Sequence, residues 1–210
     1  IIRSDESRRY VVPSAPGKRF SDDTKVTDLL YACYRSAGDE EKFNKILEEI
    51  KSRYQEIIEG LQLSLSLEED FVLIEDNFKK QIGEEYAASR GEYLNGKIMA
   101  AYLGFAFVDP AEMIRFDGNG QFDGEITEKL VAKRLGNLEC AVIPGFYGAK
   151  EDGTIKTFSR GGSDITGSIV AGAIDADLYE NWTDVSGFLV TDPRIIPNPK
   201  PIDTITYREL

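Results

Sequence analysis

A short glycine-containing turn in the last third of the chain has residue types that bind phosphate or carboxylate groups. It reads Arg160-Gly161-Gly162-Ser163-Asp164 and leads into a run of small residues. Glycine lacks a Cβ atom, so the two glycines permit strained dihedral angles and let a ligand approach the main chain. Ser163 is a favourable helix N-cap, and the free N–H groups of a helix start attract anions. Arg160 can hold a carboxylate through two parallel hydrogen bonds.

Two Thr-Asp pairs follow this turn, Thr183-Asp184 and Thr191-Asp192, and the second pair continues into Pro193-Arg194. As plain structure they are turns at strand ends, because the residue before a proline avoids helical geometry. As a site they can bind a ribose, the edge of a nucleobase or a water on magnesium, with Arg194 on a phosphate. The residues alone leave both interpretations open.

A second motif, Ser89-Arg90-Gly91-Glu92, also has two interpretations. As local structure it is a capping box, in which Ser89 is the N-cap and Glu92 is the reciprocal third residue of a helix. The functional alternative places the Glu92 carboxylate at a helix start, where it binds the ammonium group of a substrate.

The composition excludes several kinds of catalysis and binding. The 210 residues include no histidine, which excludes Ser-His-Asp and Cys-His nucleophiles and the common zinc sites that contain histidine. Catalysis must therefore use carboxylates, Lys, Arg, hydroxyls and backbone dipoles. The net charge of −12 argues against a nucleic-acid partner, since a phosphate backbone requires clustered Lys and Arg. We predict no metal site built by the protein alone.

The location of the protein is predicted from its cysteines and its apolar segments. Cys33 and Cys140 are far apart and lie among apolar residues, so we expect buried free thiols in a reducing compartment. No stretch is long and apolar enough for a bilayer span, and no signal peptide is recognised, which predicts no membrane association. The expected location is the cytoplasm.

Apolar spacing predicts a helical first half and an alternating α/β second half. Phe43, Leu47, Ile50, Tyr54 and Ile58 follow the helical period over residues 39–61. Ser66 and Glu69 suggest a capping box that opens a further helix continuing to Tyr86, and these two helices would form a long hairpin. The other predicted helices are 26–36, 92–103, 126–135 and 163–176, and the predicted strands are 8–12, 105–108, 113–116, 139–143, 154–158 and 178–182.

Alternation of strands and helices implies a mostly parallel sheet with helices on its faces. In such sheets ligands bind at the carboxyl ends of the strands, which is where the motif-bearing loops fall.

Taken together, the motifs resemble those of the aspartokinases, a branch of the amino-acid kinases. The resemblance rests on Arg160 to Asp164 with Thr166, on Trp182-Thr183-Asp184-Val185-x-Gly187, and on Thr191 to Arg194. Upstream matches agree in order: Val11-Val12-x-Ser14-Ala15, Thr27-Asp28-Leu29-Leu30, Ser89-x-Gly91-Glu92 and Val142-Ile143-Pro144-Gly145-Phe146. The match covers nearly the whole chain and is weakest in the acidic helices at 39–85.

The resemblance implies a three-layer αβα sandwich with a mostly parallel central sheet. It also implies ATP-dependent phosphorylation of the side chain of L-aspartate to 4-phospho-L-aspartate, the step that opens lysine, threonine and methionine synthesis. Mg²⁺ would be held mainly by the phosphates, and a homodimer or higher homo-oligomer is expected. The implied site residues fall into three groups. Asp164 is catalytic and organises a lysine; Ser14, Thr27, Glu92, Arg160, Gly161, Gly162 and Ser163 bind aspartate; Thr183, Asp184, Leu189 and Arg194 bind the nucleotide.

The resemblance also predicts how the chain is divided. Residues 1–150 would bind mainly the amino acid and residues 151–210 mainly the nucleotide, within one catalytic domain. The Lys-Phe-Gly-Gly strand of the family and its ACT regulatory domains are absent from the sequence, so a fragment with weak or no turnover is expected. The alternatives are a kinase for glutamate, acetylglutamate or UMP, and a non-catalytic sensor with the same fold.

Overall fold

A computed structural model of the chain describes residues 1–159, 161–183, 187, 189–192, 195–202 and 204. The chain divides into two compact units, Ile1–Tyr179 and Glu180–Leu210. All of the named helices and strands lie in the first unit. None of the described helices combines the length and the apolar composition that a membrane span requires.

Four helices make up most of the first half of the chain: α1 (Val26–Arg35), α2 (Glu40–Gly60), α3 (Glu68–Lys79) and α4 (Glu84–Leu103). The prediction for residues 39–61 is confirmed, since Asp39 is the N-cap of α2 and Leu61 its C-cap. The Asp39 carboxylate accepts a hydrogen bond from the Lys42 N–H at 3.1 Å, which satisfies one free donor of the first turn. Both α2 and α3 pack against α1 and α4.

The helix predicted from Ser66 to Tyr86 is wrong, because the chain breaks between α3 and α4. Gln81 has a φ of 53° and Gly83 a φ of 144°, and neither value is compatible with a continuing right-handed helix. Leu67, not Ser66, is the N-cap of α3, although the Ser66 hydroxyl still accepts from the Glu68 N–H at 3.3 Å.

The predicted helix start at Ser89 is also wrong. Helix α4 begins at Glu84 and runs through the whole Ser89-to-Glu92 motif. The Ser89 hydroxyl donates to the carbonyl of Tyr86 at 2.7 Å, so it binds back to the preceding turn instead of capping a helix. Glu92 therefore lies in the interior of a helix, where all neighbouring backbone groups are fixed.

In the part of the chain that the structure describes, the strands form two three-stranded sheets, and most of their pairings are parallel, as predicted. In the first sheet β4 (Ala141–Val142) lies between β1 (Tyr10–Val11) and β2 (Ala106–Phe107), parallel to both. In the second, β5 (Tyr147–Lys150) pairs in parallel with β3 (Arg115–Phe116) and antiparallel with β6 (Ile155–Thr157).

Strand β5 was not predicted, although its hairpin with β6 has a sequence signal. The turn contains Asp152-Gly153; Gly153 has a φ of 84°, and the Asp152 carboxylate accepts from the Thr154 N–H at 2.9 Å. An Asp-Gly pair between two apolar runs is a strong hairpin indicator.

Two further helices cover the second half, α5 (Gly124–Leu135) and α6 (Gly162–Ala173), and they pack against each other. The strand predicted at 178–182 is wrong, since none of these residues is in a strand. A strand needs a hydrogen-bonded neighbour and a sheet to cover its apolar face, whereas Leu178 is 74% exposed.

Helix α4 connects the helical half to the sheets. Its apolar residues join the buried cluster formed with α1, α2 and α3, and it also packs against β2, β4 and β6. The approach to the end of β4 is close, because a Cβ atom on Gly96 would lie 2.6 Å from the Pro144 ring. This contact fixes the height of α4 over the sheet and therefore the place of Glu92.

We predict that Gly148→Ala destabilises the fold. Gly148 is buried in β5, and a Cβ atom there would lie 2.5 Å from the backbone oxygen of Ile114, which cannot move away like a flexible side chain. Such overpacking costs about 1–3 kcal/mol. The measurement is urea denaturation of the purified protein. The matched control is Gly38→Ala, whose Cβ would meet nothing within 4 Å. The control should stay within about 0.5 kcal/mol of wild type, and equal effects would contradict the prediction.

Candidate active site

The start of α6 leaves its backbone N–H groups open to a ligand. Its N-cap is Gly161, in a left-handed conformation with φ 57° and ψ 28°, and no side chain caps the helix. A Cβ atom on Gly161 would meet only the Asp164 carboxylate, at 3.5 Å, so the space beside the main chain is open. Ser163 was predicted as the N-cap, and this is wrong. The helix instead begins on a glycine, because only glycine adopts that conformation without strain.

The Ser163 hydroxyl instead contacts a residue that is far away in the sequence. It accepts a hydrogen bond of 2.8 Å from the hydroxyl of Ser14, which is 149 residues earlier and follows β1. The backbone oxygen of Ser14 accepts a further hydrogen bond from the Asn95 side chain of α4, at 2.6 Å. The structure therefore brings two predicted site residues together. Asn95 was not predicted, since one asparagine within a helix gives no sequence signal.

The loop after β4 is fitted closely against the start of α6. A Cβ atom on Gly145 would lie 2.5 Å from the Ser163 hydroxyl, and one on Gly162 would lie 2.5 Å from the Phe146 ring. The buried Thr166 hydroxyl accepts from the Phe146 N–H at 3.0 Å and donates to the Gly162 carbonyl at 2.8 Å. The small residues are therefore needed for contact between the loop and the helix, and they fix the predicted Gly162 and Ser163 in position.

Glu92 supplies a buried carboxylate that lacks a full set of partners. The residue is 7% exposed, and within the described part of the chain its Oε2 atom has no hydrogen-bond partner. Burial raises the pKa of Glu92 to about 7, against the opposing effects of its own N–H, the Ala15 N–H and the charge of Arg90. Desolvation disfavours the charged form, so this group is poised to gain a cationic partner.

The backbone around Glu92 is held by contacts from three directions. A Cβ atom on Gly91 would lie 3.0 Å from the Ala15 side chain, so the loop after β1 rests directly on α4. The Tyr54 hydroxyl of α2 donates to the Gly91 carbonyl at 2.9 Å. Thr27, a predicted site residue, is half-buried in the first turn of α1. Its neighbour Val26 lies 3.7 Å from the Cβ position of Gly91, which places the α1 start beside the site.

The structure describes some of the remaining predicted site residues and not others. Arg160, Asp184 and Arg194 lie outside the described residues. Thr183 is exposed and Leu189 is half-buried, and both belong to the second unit, where Leu189 forms a β-bridge with Pro201. Asp164 is exposed in the first turn of α6, and its carbonyl accepts from the Tyr179 hydroxyl at 3.3 Å.

The arrangement suits a ligand that carries both a positive and a negative group. The loop after β1 joins the two halves, since the Ser14 hydroxyl reaches Ser163 while the next N–H, of Ala15, favours the Glu92 carboxylate. On one side is a buried carboxylate with one unpartnered oxygen, and on the other is an uncapped helix start that attracts anions. Among the described residues no group of three or more acidic or cysteine side chains is placed to hold a metal ion.

Comparisons with known proteins identify the family to which the chain belongs. The sequence profile described as the amino acid kinase family matches residues 5–210. Aspartokinase 3 of Bacillus subtilis is 40% identical over 231 residues, covering 100% of this chain and 49% of that protein. The crystal structure of Clostridium acetobutylicum aspartate kinase has 48% identity and a TM-score of 0.93, covering 99% of this chain and 48% of the other.

A more distant relative has been solved with ligands. E. coli aspartokinase III in complex with aspartate and ADP shares 24% identity and a TM-score of 0.77, over 96% of this chain and 48% of the other, a likeness of fold. The same enzyme with lysine and aspartate shares 28% identity and a TM-score of 0.72, over 97% of this chain and 49% of the other. The chain thus spans about half the length of the proteins that it matches. On its sequence and its fold, the chain belongs to the amino acid kinase family.

Proposed function

We propose that the protein transfers the γ-phosphoryl group of ATP to the side-chain carboxylate of L-aspartate, giving 4-phospho-L-aspartate and ADP. The observation that carries the proposal is the buried carboxylate of Glu92, whose Oε2 atom lacks a partner among the described residues and which contacts the loop that reaches the start of α6. The names of the relatives, aspartokinase and aspartate kinase, support the same substrate. The product would enter lysine, threonine and methionine synthesis.

Aspartate is the ligand whose charges suit the site. Its ammonium group would pair with Glu92 and supply the partner that Oε2 lacks. Arg160 would bind one of its carboxylates, and Ser14, Thr27, Gly161, Gly162 and Ser163 would line the remainder of the pocket. E. coli aspartokinase III was solved with bound aspartate, which supports an aspartate site in a protein of this fold.

The nucleotide would extend from the start of α6. The free N–H groups there and the open space beside Gly161, which has no Cβ atom, fit a phosphate group. Thr183, Asp184, Leu189 and Arg194 would contact the nucleotide, and Asp164 would organise a lysine near the phosphates. We propose that Mg²⁺ accompanies ATP, held mainly by phosphate oxygens, and that it neutralises phosphate charge when bound.

The reaction itself requires little acid–base chemistry. The aspartate side chain has a pKa of about 3.9 and is already ionised at neutral pH, so no base has to activate it. A carboxylate oxygen of aspartate would form a bond to the γ-phosphorus while the bond from that phosphorus to the ADP oxygen breaks. Positioning and charge neutralisation supply most of the catalysis in such transfers. A chain without histidine can therefore catalyse the reaction.

We further propose that the protein acts in the cytoplasm as a homodimer or higher homo-oligomer. Two free cysteines, the buried Cys33 and the half-buried Cys140, support a reducing compartment.

A coupled assay of ADP release on the full-length protein tests the function. We expect turnover with aspartate and none with glutamate, acetylglutamate or UMP. Turnover with one of the other three compounds, and not with aspartate, would show that this compound is the substrate. Nucleotide binding without any ADP release would indicate a sensor and contradict the proposal.

We predict that Glu92→Gln raises the KM for aspartate at least tenfold, because a neutral amide cannot pair with the ammonium group and charge-assisted contacts contribute roughly 1.5–3 kcal/mol. The KM for ATP should change less than about twofold, since Glu92 faces the amino acid. Steady-state kinetics with each substrate varied in turn measures both values. The matched control, Glu128→Gln on the exposed surface of α5, should match wild type. Equal increases in the KM for aspartate and the KM for ATP would show that Glu92 is not part of the aspartate site.

We also predict that Glu92→Gln stabilises the ligand-free protein at pH 8. The folded-state pKa of Glu92 is about 7, above its ordinary value of 4.5, so stability falls as pH rises through this interval. Above pH 7 the cost of the buried charge is fully present, and its removal contributes up to about 3 kcal/mol. Urea denaturation at pH 4.5 and pH 8 should show this gain at pH 8 alone. A gain of the same size at both values would contradict the assignment.

A further inference from the structure

The guanidinium group of Arg90 lies within a box of three tyrosine rings, which we call the tyrosine box. Its Cζ atom is 4.4 Å from the ring centroids of Tyr86 and Tyr93 and 5.3 Å from that of Tyr147. Arg90 is 5% exposed, and its Nε and Nη2 atoms donate to the Ser89 hydroxyl at 3.1 and 2.8 Å. A cation over aromatic faces is held electrostatically, and most strongly where water is excluded.

Each wall of the tyrosine box is anchored through its hydroxyl group. Tyr147 donates to the Asp109 carboxylate at 2.9 Å, and Tyr93 donates to the Asp70 carboxylate at 3.0 Å. The Tyr86 hydroxyl accepts from the Asn77 side chain at 2.9 Å. The box therefore connects α4 to α3, to β5 and to the turn after β2. This connection fixes the rotation of α4 about its axis at residues 86–93.

Within the described part of the chain, Arg90 makes no ion pair with a carboxylate. A buried cation without a counter-ion is costly, and an apolar side chain would fill the same space without that cost. Two residues further along the same helix, Glu92 is a buried anion with an unpartnered oxygen. Positions two apart on a helix point to different sides, so the two groups cannot form a direct salt bridge.

We propose that Arg90 is a positioning residue for Glu92. The tyrosine box holds the turn of α4 that carries Glu92, and the buried positive charge of Arg90 favours a carboxylate at position 92 that can bind an ammonium group. The charge acts through the protein interior, where electrostatic interactions are stronger than in water. The identity of the ammonium ligand rests on the proposed function, whereas the effect of Arg90 on Glu92 does not.

The other groups around Glu92 do not replace this charge. Tyr31 of α1 and Tyr54 of α2 face it, and the pKa of each is raised, chiefly by burial and in part by Glu92, so both are neutral at pH 7. The charges that α4 meets on its other sides are paired among themselves: Lys97 binds Asp70, and Lys156 of β6 binds Glu85. Among the described side chains, Arg90 is the charge that lowers the pKa of Glu92.

The test measures the ionisation of Glu92 directly in the full-length protein. Carboxyl ¹³C NMR titration, with the Glu92 signal assigned by its loss in Glu92→Gln, is compared between wild type, Arg90→Gln and Arg90→Met. We expect Glu92 to titrate near pH 7 in wild type. We expect its titration to move to higher pH in both variants, because loss of a nearby positive charge disfavours the carboxylate form. Gln retains a donor for Ser89, and Met retains contact with the rings, so the two variants make different demands on folding.

The kinetic consequence depends on pH in a defined direction. If the pKa of Glu92 rises from about 7 to about 8, the anionic fraction falls about threefold at pH 7.5 and about eightfold at pH 6.5. The KM for aspartate in both variants should rise by these factors and approach wild type at about pH 9, with the KM for ATP unchanged.

Two controls separate charge from packing. Arg90→Lys retains a cationic side chain in a smaller, more strongly hydrated form, and it should shift the Glu92 titration less than either charge-removing variant. Arg3→Gln removes an exposed arginine whose guanidinium is also 4.4 Å from a tyrosine ring, that of Tyr102. Tyr102 lies ten residues after Glu92 on α4, a distance of ~15 Å along the helix. The Arg3→Gln variant should change neither the titration nor the kinetics.

The outcomes are distinct for the two proposals. Superimposable titrations in wild type and both charge-removing variants would overturn the role of Arg90, as would a wild-type Glu92 that titrates near 4.5. Failure of both variants to fold would make Arg90 a structural residue and overturn the proposal as well. A shifted titration in a protein that does not phosphorylate aspartate would overturn the proposed function and leave the role of Arg90 standing.

Discussion

The burial of one carboxylate, Glu92, governs how the site is built. A carboxylate removed from water favours its neutral form unless hydrogen bonds or opposite charge compensate. Here the compensation is partial: the Ala15 N–H, the N–H of Glu92 itself and the charge of Arg90 act in one direction, and burial acts more strongly in the other. A site left incomplete in this way favours a cationic ligand group over water, and the fold bears the cost until that ligand binds.

The same constraint explains why residues far apart in the sequence meet. The loop after β1 delivers the Ala15 N–H to Glu92 and the Ser14 hydroxyl to Ser163, so one short segment contacts both the buried carboxylate and the start of α6. The start of α6 has no side-chain cap, and Gly161 leaves its N–H groups accessible. The hydrogen bond from the Phe146 N–H to the Thr166 hydroxyl holds this end of the helix against the loop after β4. Packing rather than capping fixes this helix start.

The accuracy of the sequence predictions depended on whether local or tertiary contacts decide a structure. Helix 39–61 was predicted to within one residue, because its caps and its apolar period are local signals. The Ser89-to-Glu92 motif has an equally good local signal for a helix start, yet α4 continues through it, since burial against α1 and the sheets outweighs one cap. The prediction of Ser163 as the N-cap of α6 was wrong for the same reason, since tertiary packing outweighs one local capping signal. The motif resemblance named Ser14 and Ser163 as site residues, but no periodicity in the sequence indicates that their hydroxyls form a hydrogen bond.

The role of Gly91 follows from these contacts and shows why a small residue separates Arg90 from Glu92. Its missing side chain leaves room for Ala15 to lie on α4, since a Cβ atom there would already be 3.0 Å away. A larger residue would push the loop after β1 outwards. The Ala15 N–H would then lose its contact with Glu92, and the Ser14 hydroxyl would lose its contact with Ser163. Three consecutive positions thus have separate roles. Arg90 anchors the helix through the tyrosine box, Gly91 leaves room for the loop after β1, and Glu92 presents the buried carboxylate.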